Sequence, residues 1–140
     1  MMTYVSNSEQ ETYDIGYRLA KEAKRGEIYC LIGDLGVGKT IFSKGFAKGL
    51  GIQEPITSPT FTIIQEYEAD IPLYHFDMYR IEDQGELEMI GYEDYFFGDG
   101  VCLVEWANKV EEVIPKSAVW IFIDKDLEKD FEYRSIKIRR

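Results

Sequence analysis

The chain has 140 residues, 45% of them hydrophobic and 14% aromatic, which suits one globular domain with a substantial core and excludes a disordered chain. Its net charge of −10, from 26 acidic and 16 basic residues, argues against tight binding of a polyanion by this chain alone, because nucleic-acid affinity grows with the phosphates that Lys and Arg neutralise. No run approaches the roughly 20 apolar residues of a membrane span, and the opening "MMTYVSNSEQETYD" lacks the basic start and apolar core of a secretory signal, so a cytoplasmic protein without membrane contact is expected.

Ser8, Glu9 and Gln10 precede "ETYDIGYRLAKEAKRGE", in which Ile15, Leu19 and Ala23 recur at helical spacing and Lys24–Arg25–Gly26 reads as a helix end. "EIYCLIG" follows as a nearly continuous apolar run, the pattern of a strand buried on both faces of a parallel sheet. "TIFSKGFAKGLGI" places Phe42, Phe46 and Leu50 on one helical face, ended by Gly49 and Gly51. Pro55 and Pro59 break the next stretch, after which "FTIIQEYE" has the β-branched and aromatic content of a strand.

"IPLYHFDMYRI" alternates, with Leu73, His75, Asp77 and Tyr79 on one face and Tyr74, Phe76 and Met78 on the other. It forms a strand–turn–strand unit with the preceding strand, "EADIP" being the turn. "QGELEMIGYEDYFFGDG" reads as a short amphipathic helix with a loop, "VCLVEW" as another buried strand, "ANKVEEVIP" as a short helix and "AVWIFID" as a strand. "FEYRSIKIRR" closes the chain as an edge strand. Cys30 and Cys102, both inside apolar runs, read as small buried strand residues; they lack metal-site spacing, and a single His makes a zinc cluster improbable. There is no repeat and no linker, so residues 1–140 form one domain. Helices alternating with apolar strands, with antiparallel-looking additions, predict an α/β domain of three layers around a mostly parallel central sheet.

Gly33, four residues, Gly38, Lys39 and Thr40 complete the pattern G-x-x-x-x-G-K-[ST], between a buried strand and an amphipathic helix. Asp34, Leu35, Gly36, Val37 and Gly38 make the loop, whose glycines let successive backbone N–H groups point at phosphate oxygens. The positive end of the following helix faces the same place. Lys39 can reach the β- and γ-phosphates of ATP, and the Thr40 hydroxyl can coordinate Mg²⁺.

Such a site needs a second acid near the metal. Glu105 follows four apolar residues and stands at the C-terminal end of a central strand, where open α/β sheets bind ligands; it is assigned to Mg²⁺, through water. Asp77, at the end of the alternating strand, is assigned to the γ-phosphate region as positioner or activator of the attacking water. Trp106 either walls the site or packs in the core. His75 shares a face with Asp77 and reads as structural. In "TSPTF", Thr60 is the candidate γ-phosphate sensor, against an ordinary turn before a strand.

Together, "GDLGVGKT", "SPTFT", "YHFDMYR", "GYEDYF" and "LVEW" resemble, in order and spacing, the TsaE family (also called YjeE or YdiB) of bacterial P-loop ATPases. The likeness runs from "DIGYRLA" to "YRSIKI". It implies a P-loop NTPase-like domain that binds and hydrolyses ATP with Mg²⁺. It also implies a role in making threonylcarbamoyladenosine at position 37 of tRNA, with TsaD and TsaB as partners and tRNA met through their complex. By the same resemblance, function falls on Lys39, Thr40, Thr60, Asp77 and Glu105, with Thr40 and Glu105 as the Mg²⁺ residues. Arg134 is the nearest match to a C-terminal arginine that contacts nucleotide, and the Ser8–Glu9 region to the floor of the adenine site. A small-molecule kinase and a nucleotide-gated binding module are the alternatives. A kinase usually needs a water-excluding lid, for which the chain has no arginine-rich insertion.

Overall fold

The computed structural model describes residues 1–34, 36–57, 59 and 62–140. Seven strands form one sheet: β1 (Met2–Ser6), β2 (Ile28–Ile32), β3 (Ile64–Tyr67), β4 (Leu73–Asp77), β5 (Val101–Glu105), β6 (Val119–Asp124) and β7 (Arg134–Arg139), in the spatial order β1-β7-β6-β2-β5-β4-β3. The four central strands β6, β2, β5 and β4 are parallel, and β3, β7 and β1 are added antiparallel. The expected α/β architecture is therefore present. β2 and β5 are the least solvated strands because each lies between two parallel neighbours under helices on both faces, which is what their unbroken apolar runs indicated.

Helices α1 (Glu9–Lys21) and α2 (Lys39–Gly49) cover one face. Ile15 and Leu19 of α1 and Phe42 and Phe46 of α2 pack there on Tyr29, Leu31, Leu103, Ile121 and Ile136. The opposite face carries α3 (Gln84–Met89), α4 (Tyr92–Phe96) and a 3₁₀ stretch (Ala107–Val113) kinked at Val110. Leu87, Phe96 and Val110 pack there on Cys30, Phe76 and Val104. Both cysteines are free and buried, as expected.

Several boundaries differ from those expected. α1 stops at Lys21, five residues before the expected glycine. The amphipathic segment after β4 is two helices, because Gly91 adopts φ 70° between them. The C-terminal strand is not at the edge: β1 pairs with its outer side, Met2 against Ile138 through Ser6 against Arg134. α1 begins with a side-chain cap, the Ser8 hydroxyl accepting the Glu11 N–H at 3.1 Å while Glu11 Oε1 accepts the Asn7 N–H at 2.9 Å. α2 ends in a Schellman turn: the Gly51 N–H (φ 91°) donates to the Lys48 carbonyl, and the Ile52 N–H to that of Ala47.

α1 and α2 approach so closely that glycine is required where they cross. A Cβ on Gly45 would stand 2.0 Å from the Tyr13 carbonyl oxygen, and one on Gly49 2.4 Å from that of Tyr17. This contact fixes the N-terminal end of α1 beside the loop that precedes α2. Gly45→Ala is expected to destabilise the protein by about 3 kcal/mol, lowering the midpoint of thermal unfolding by roughly 10 °C. Lys44→Ala, exposed on the same helix, should leave that midpoint nearly unchanged in the same circular-dichroism melt.

Candidate functional site

At the C-terminal ends of the parallel strands lies a cavity of about 430 Å³, the size of a small-ligand site. Its wall is built by the glycine loop and first turn of α2 (Gly36, Val37, Gly38, Lys39, Thr40), the start of α1 (Ser8, Glu9), Asp77, Glu105 and Trp106, and Arg134.

The loop takes its shape from local sterics. Gly36 and Gly38 adopt φ 76° and 107°, conformations that L side chains rarely enter. Gly33 admits no Cβ, which would meet Val37 Cγ1 at 2.7 Å and the Ile123 carbonyl oxygen at 2.9 Å. Val37 is buried, with Cγ1 against Gly33, and is also among the residues lining the cavity. Asp34 is not among the cavity-lining residues, although its charge acts on Lys39. Leu35 lies outside the described residues, as does Thr60. Next to that segment, the Thr57 N–H donates to Tyr67 Oη at 3.2 Å.

Lys39 is buried at the base of the cavity, with Nζ 4.1 Å from the centroid of the Trp106 ring. Neither salt bridge among the described residues involves it. Burial pushes its ammonium below the ordinary lysine value, against the pull of Glu105, Asp77 and Asp34. A desolvated cation facing a cavity is a site for an anion.

Asp77 and Glu105 are register partners on β4 and β5, side by side at the strand ends. Asp77 Oδ1 accepts the Tyr79 N–H at 3.0 Å. Burial pushes its carboxyl above the usual carboxylate range and the neighbouring Glu105 adds to this, while the Tyr79 N–H and Lys39 pull it down. Glu105 Oε2 is 2.7 Å from Nε2 of His75.

The chain leaves β5 through Trp106, whose φ of 59° is the one positive value of a non-glycine residue among those described. Such a conformation costs of order 1–3 kcal/mol and persists where surrounding contacts hold it. Here the indole packs on Tyr79, with ring centroids 4.9 Å apart, and lies under Lys39. Trp106 therefore walls the cavity.

Arg134, the residue that the resemblance matches to a nucleotide-contacting arginine, lines the cavity and ties β7 to the loop. Its Nε donates to the Val37 carbonyl at 2.6 Å and its Nη1 to those of Phe131 and Tyr133. Thr12, Ile41, Phe131 and Glu132 also line the cavity without having been singled out. Thr12 follows Ser8 by one helical turn and Ile41 adjoins Thr40, so proximity to expected site residues could have found those two. Phe131 stands in a stretch without periodicity and offered no signal.

The donors present fit Mg²⁺ bound beside a polyphosphate. The Thr40 hydroxyl and the Asp77 and Glu105 carboxylates are hard oxygen groups bordering one cavity with the Lys39 cation. Among the described residues no three or more His, Cys, Asp or Glu side chains gather into a metal cage. Mg²⁺ needs none, since one or two carboxylates with phosphates and water suffice. No helix among the described residues is long and apolar enough to cross a membrane.

A family model described as "Threonylcarbamoyl adenosine biosynthesis protein TsaE" matches residues 6–136. The tRNA threonylcarbamoyladenosine biosynthesis protein TsaE of Bacillus subtilis is 48% identical over 130 residues, covering 91% of this chain and 81% of that protein. The protein of the same name from Treponema pallidum is 42% identical over 120 residues, covering 86% of this chain and 89% of its own. The crystal structure of Bacillus subtilis YdiB superposes with a TM-score of 0.79 at 41% identity, over 98% of this chain and 83% of that one. The expected P-loop NTPase-like fold is therefore found in a solved relative as well, and the chain belongs to the TsaE family.

Proposed function

We propose that this chain is the ATP-binding and ATP-hydrolysing component of the machinery that makes threonylcarbamoyladenosine at position 37 of tRNA, working with TsaD and TsaB. The observation that carries the nucleotide part is the convergence of Lys39, Thr40, Asp77 and Glu105 on one cavity beneath the glycine loop. The names of the related proteins support the pathway.

In this reading, Gly36, Val37 and Gly38 offer backbone N–H groups to the phosphates, Lys39 leaves the Trp106 ring to meet the β- and γ-oxygens, and Arg134 holds the loop in shape from below. Thr40 and Glu105 would hold Mg²⁺, which would supply positive charge to offset that of the phosphates. Asp77 orients the attacking water, and burial, by raising its carboxyl above the usual carboxylate range, makes it a stronger base toward the water's proton. The acidic chain meets tRNA through its partners rather than directly.

The decisive experiment measures ATP hydrolysis by the chain alone, then with TsaB, TsaD and tRNA, and scores the modified nucleoside with and without this chain. Slow hydrolysis alone, stimulation by the complete mixture and loss of modification without the chain are expected. No stimulation together with modification that proceeds unchanged would undo the proposal.

A further inference from the structure

We infer that His75 is a positioning residue for Glu105: it fixes one oxygen of that carboxylate against the sheet and leaves the other to serve Mg²⁺ in the cavity. The inference rests on the Mg²⁺–ATP reading above and goes beyond it, since His75 is 1% exposed and does not line the cavity.

The topology dictates the contact. β4 and β5 are parallel neighbours with Asp77 opposite Glu105, and His75, two residues before Asp77, shares its face. The imidazole therefore lies one step deeper in the sheet than the two acids. Its Nε2 is 2.7 Å from Glu105 Oε2, a short contact between two buried groups. Glu105 carries a flexible side chain on a 6% exposed residue at the cavity edge. Without a restraint its carboxylate could turn between the sheet and the cavity; with Oε2 held, only Oε1 is left to serve the cavity.

The imidazole's remaining chemistry points the same way. Nδ1 is buried and finds no hydrogen-bond partner among the described residues. Nε2 therefore carries the ring's one hydrogen bond among the described residues, and its partner is Glu105 Oε2. Leu73, on the same face of β4, is fully buried, so this layer accepts an aliphatic side chain of comparable size. An aliphatic residue would pack at position 75 without leaving a nitrogen unpaired. What histidine adds there is a single hydrogen bond, and that bond goes to Glu105.

The test titrates Mg²⁺ into the ATP-bound protein by calorimetry and measures ATP affinity separately in EDTA, for the native chain and for His75→Leu, His75→Gln and His75→Asn, each checked for folding by circular dichroism. Loss of such an orienting partner typically weakens metal binding by about 10- to 100-fold. His75→Leu should therefore raise the half-saturating Mg²⁺ concentration by about that factor, with ATP affinity in EDTA unchanged. Glutamine places an amide donor near the position of Nε2 and should restore near-native Mg²⁺ binding. Asparagine is too short to reach Glu105 and should behave like leucine. If leucine does not fold, the glutamine–asparagine comparison decides. Native Mg²⁺ binding in His75→Leu, or equal Mg²⁺ binding in the glutamine and asparagine variants, overturns the positioning role alone. A native chain whose ATP complex ignores Mg²⁺ overturns the Mg²⁺–ATP reading with it.

Discussion

Lys39→Ala is expected to lower ATP affinity by at least about 100-fold, ~3 kcal/mol, the scale of losing hydrogen bonds to a charged group. Lys39 is the cation most deeply placed beside the cavity, and three acids, Glu105, Asp77 and Asp34, act on it. With the ammonium gone, a triphosphate would enter a cavity bordered by two carboxylates without the cation that offsets them. Stability should change little, because the substitution relieves the burial of a charge while losing the contact with Trp106. Calorimetric titration with ATP and a thermal melt, run beside exposed Lys44→Ala as control, separate the two effects. Retained micromolar affinity in a folded Lys39→Ala protein would falsify the cradle assignment.

The parts of this molecule that follow local rules were legible before its structure. The loop is written in steric terms: Gly33 has no space for a Cβ, and Gly36 and Gly38 need positive φ. β2 and β5 announce their two-sided burial by five and four apolar residues in a row. What escaped was set by distant partners. β1 is only five residues, mostly exposed, and gains its place by pairing with a strand more than 125 positions away. It thereby moves β7 from the edge to the interior. Arg134 reaches Val37 across 97 positions, which no spacing rule encodes.

Three other features show the same division. Trp106 takes a left-handed conformation because Tyr79 and Lys39 surround its ring, against the preference of its own backbone. Gly49 reads as a helix end in sequence, yet it and Gly45 are points where α2 touches the α1 backbone. His75 could be assigned to a face by alternation, but its partner lies 30 positions on, and only the parallel register of β4 and β5 brings the two together.

That register sets the two acids side by side, and the different roles proposed for them give the second large effect. Glu105→Ala and Glu105→Gln should both remove most of the Mg²⁺-dependent gain in ATP affinity, by about 10- to 100-fold. In EDTA both should bind ATP as well as or better than the native chain, since one negative charge beside the phosphates is gone. The pair of substitutions matters because alanine also leaves His75 without its partner, whereas glutamine keeps an oxygen for that hydrogen bond and removes only the charge. Asp77→Asn should differ from both, keeping Mg²⁺-dependent ATP binding while slowing hydrolysis in the partner complex by about 100-fold or more, as expected when a group that receives a proton is lost. Nucleotide titrations with and without Mg²⁺, paired with single-turnover hydrolysis, read the two roles independently. An equal loss of ATP affinity in EDTA and in Mg²⁺ for Glu105→Gln would count against Glu105 as a metal partner. Loss of ATP binding itself in Asp77→Asn would make that carboxylate part of the nucleotide site rather than the acceptor of the water's proton.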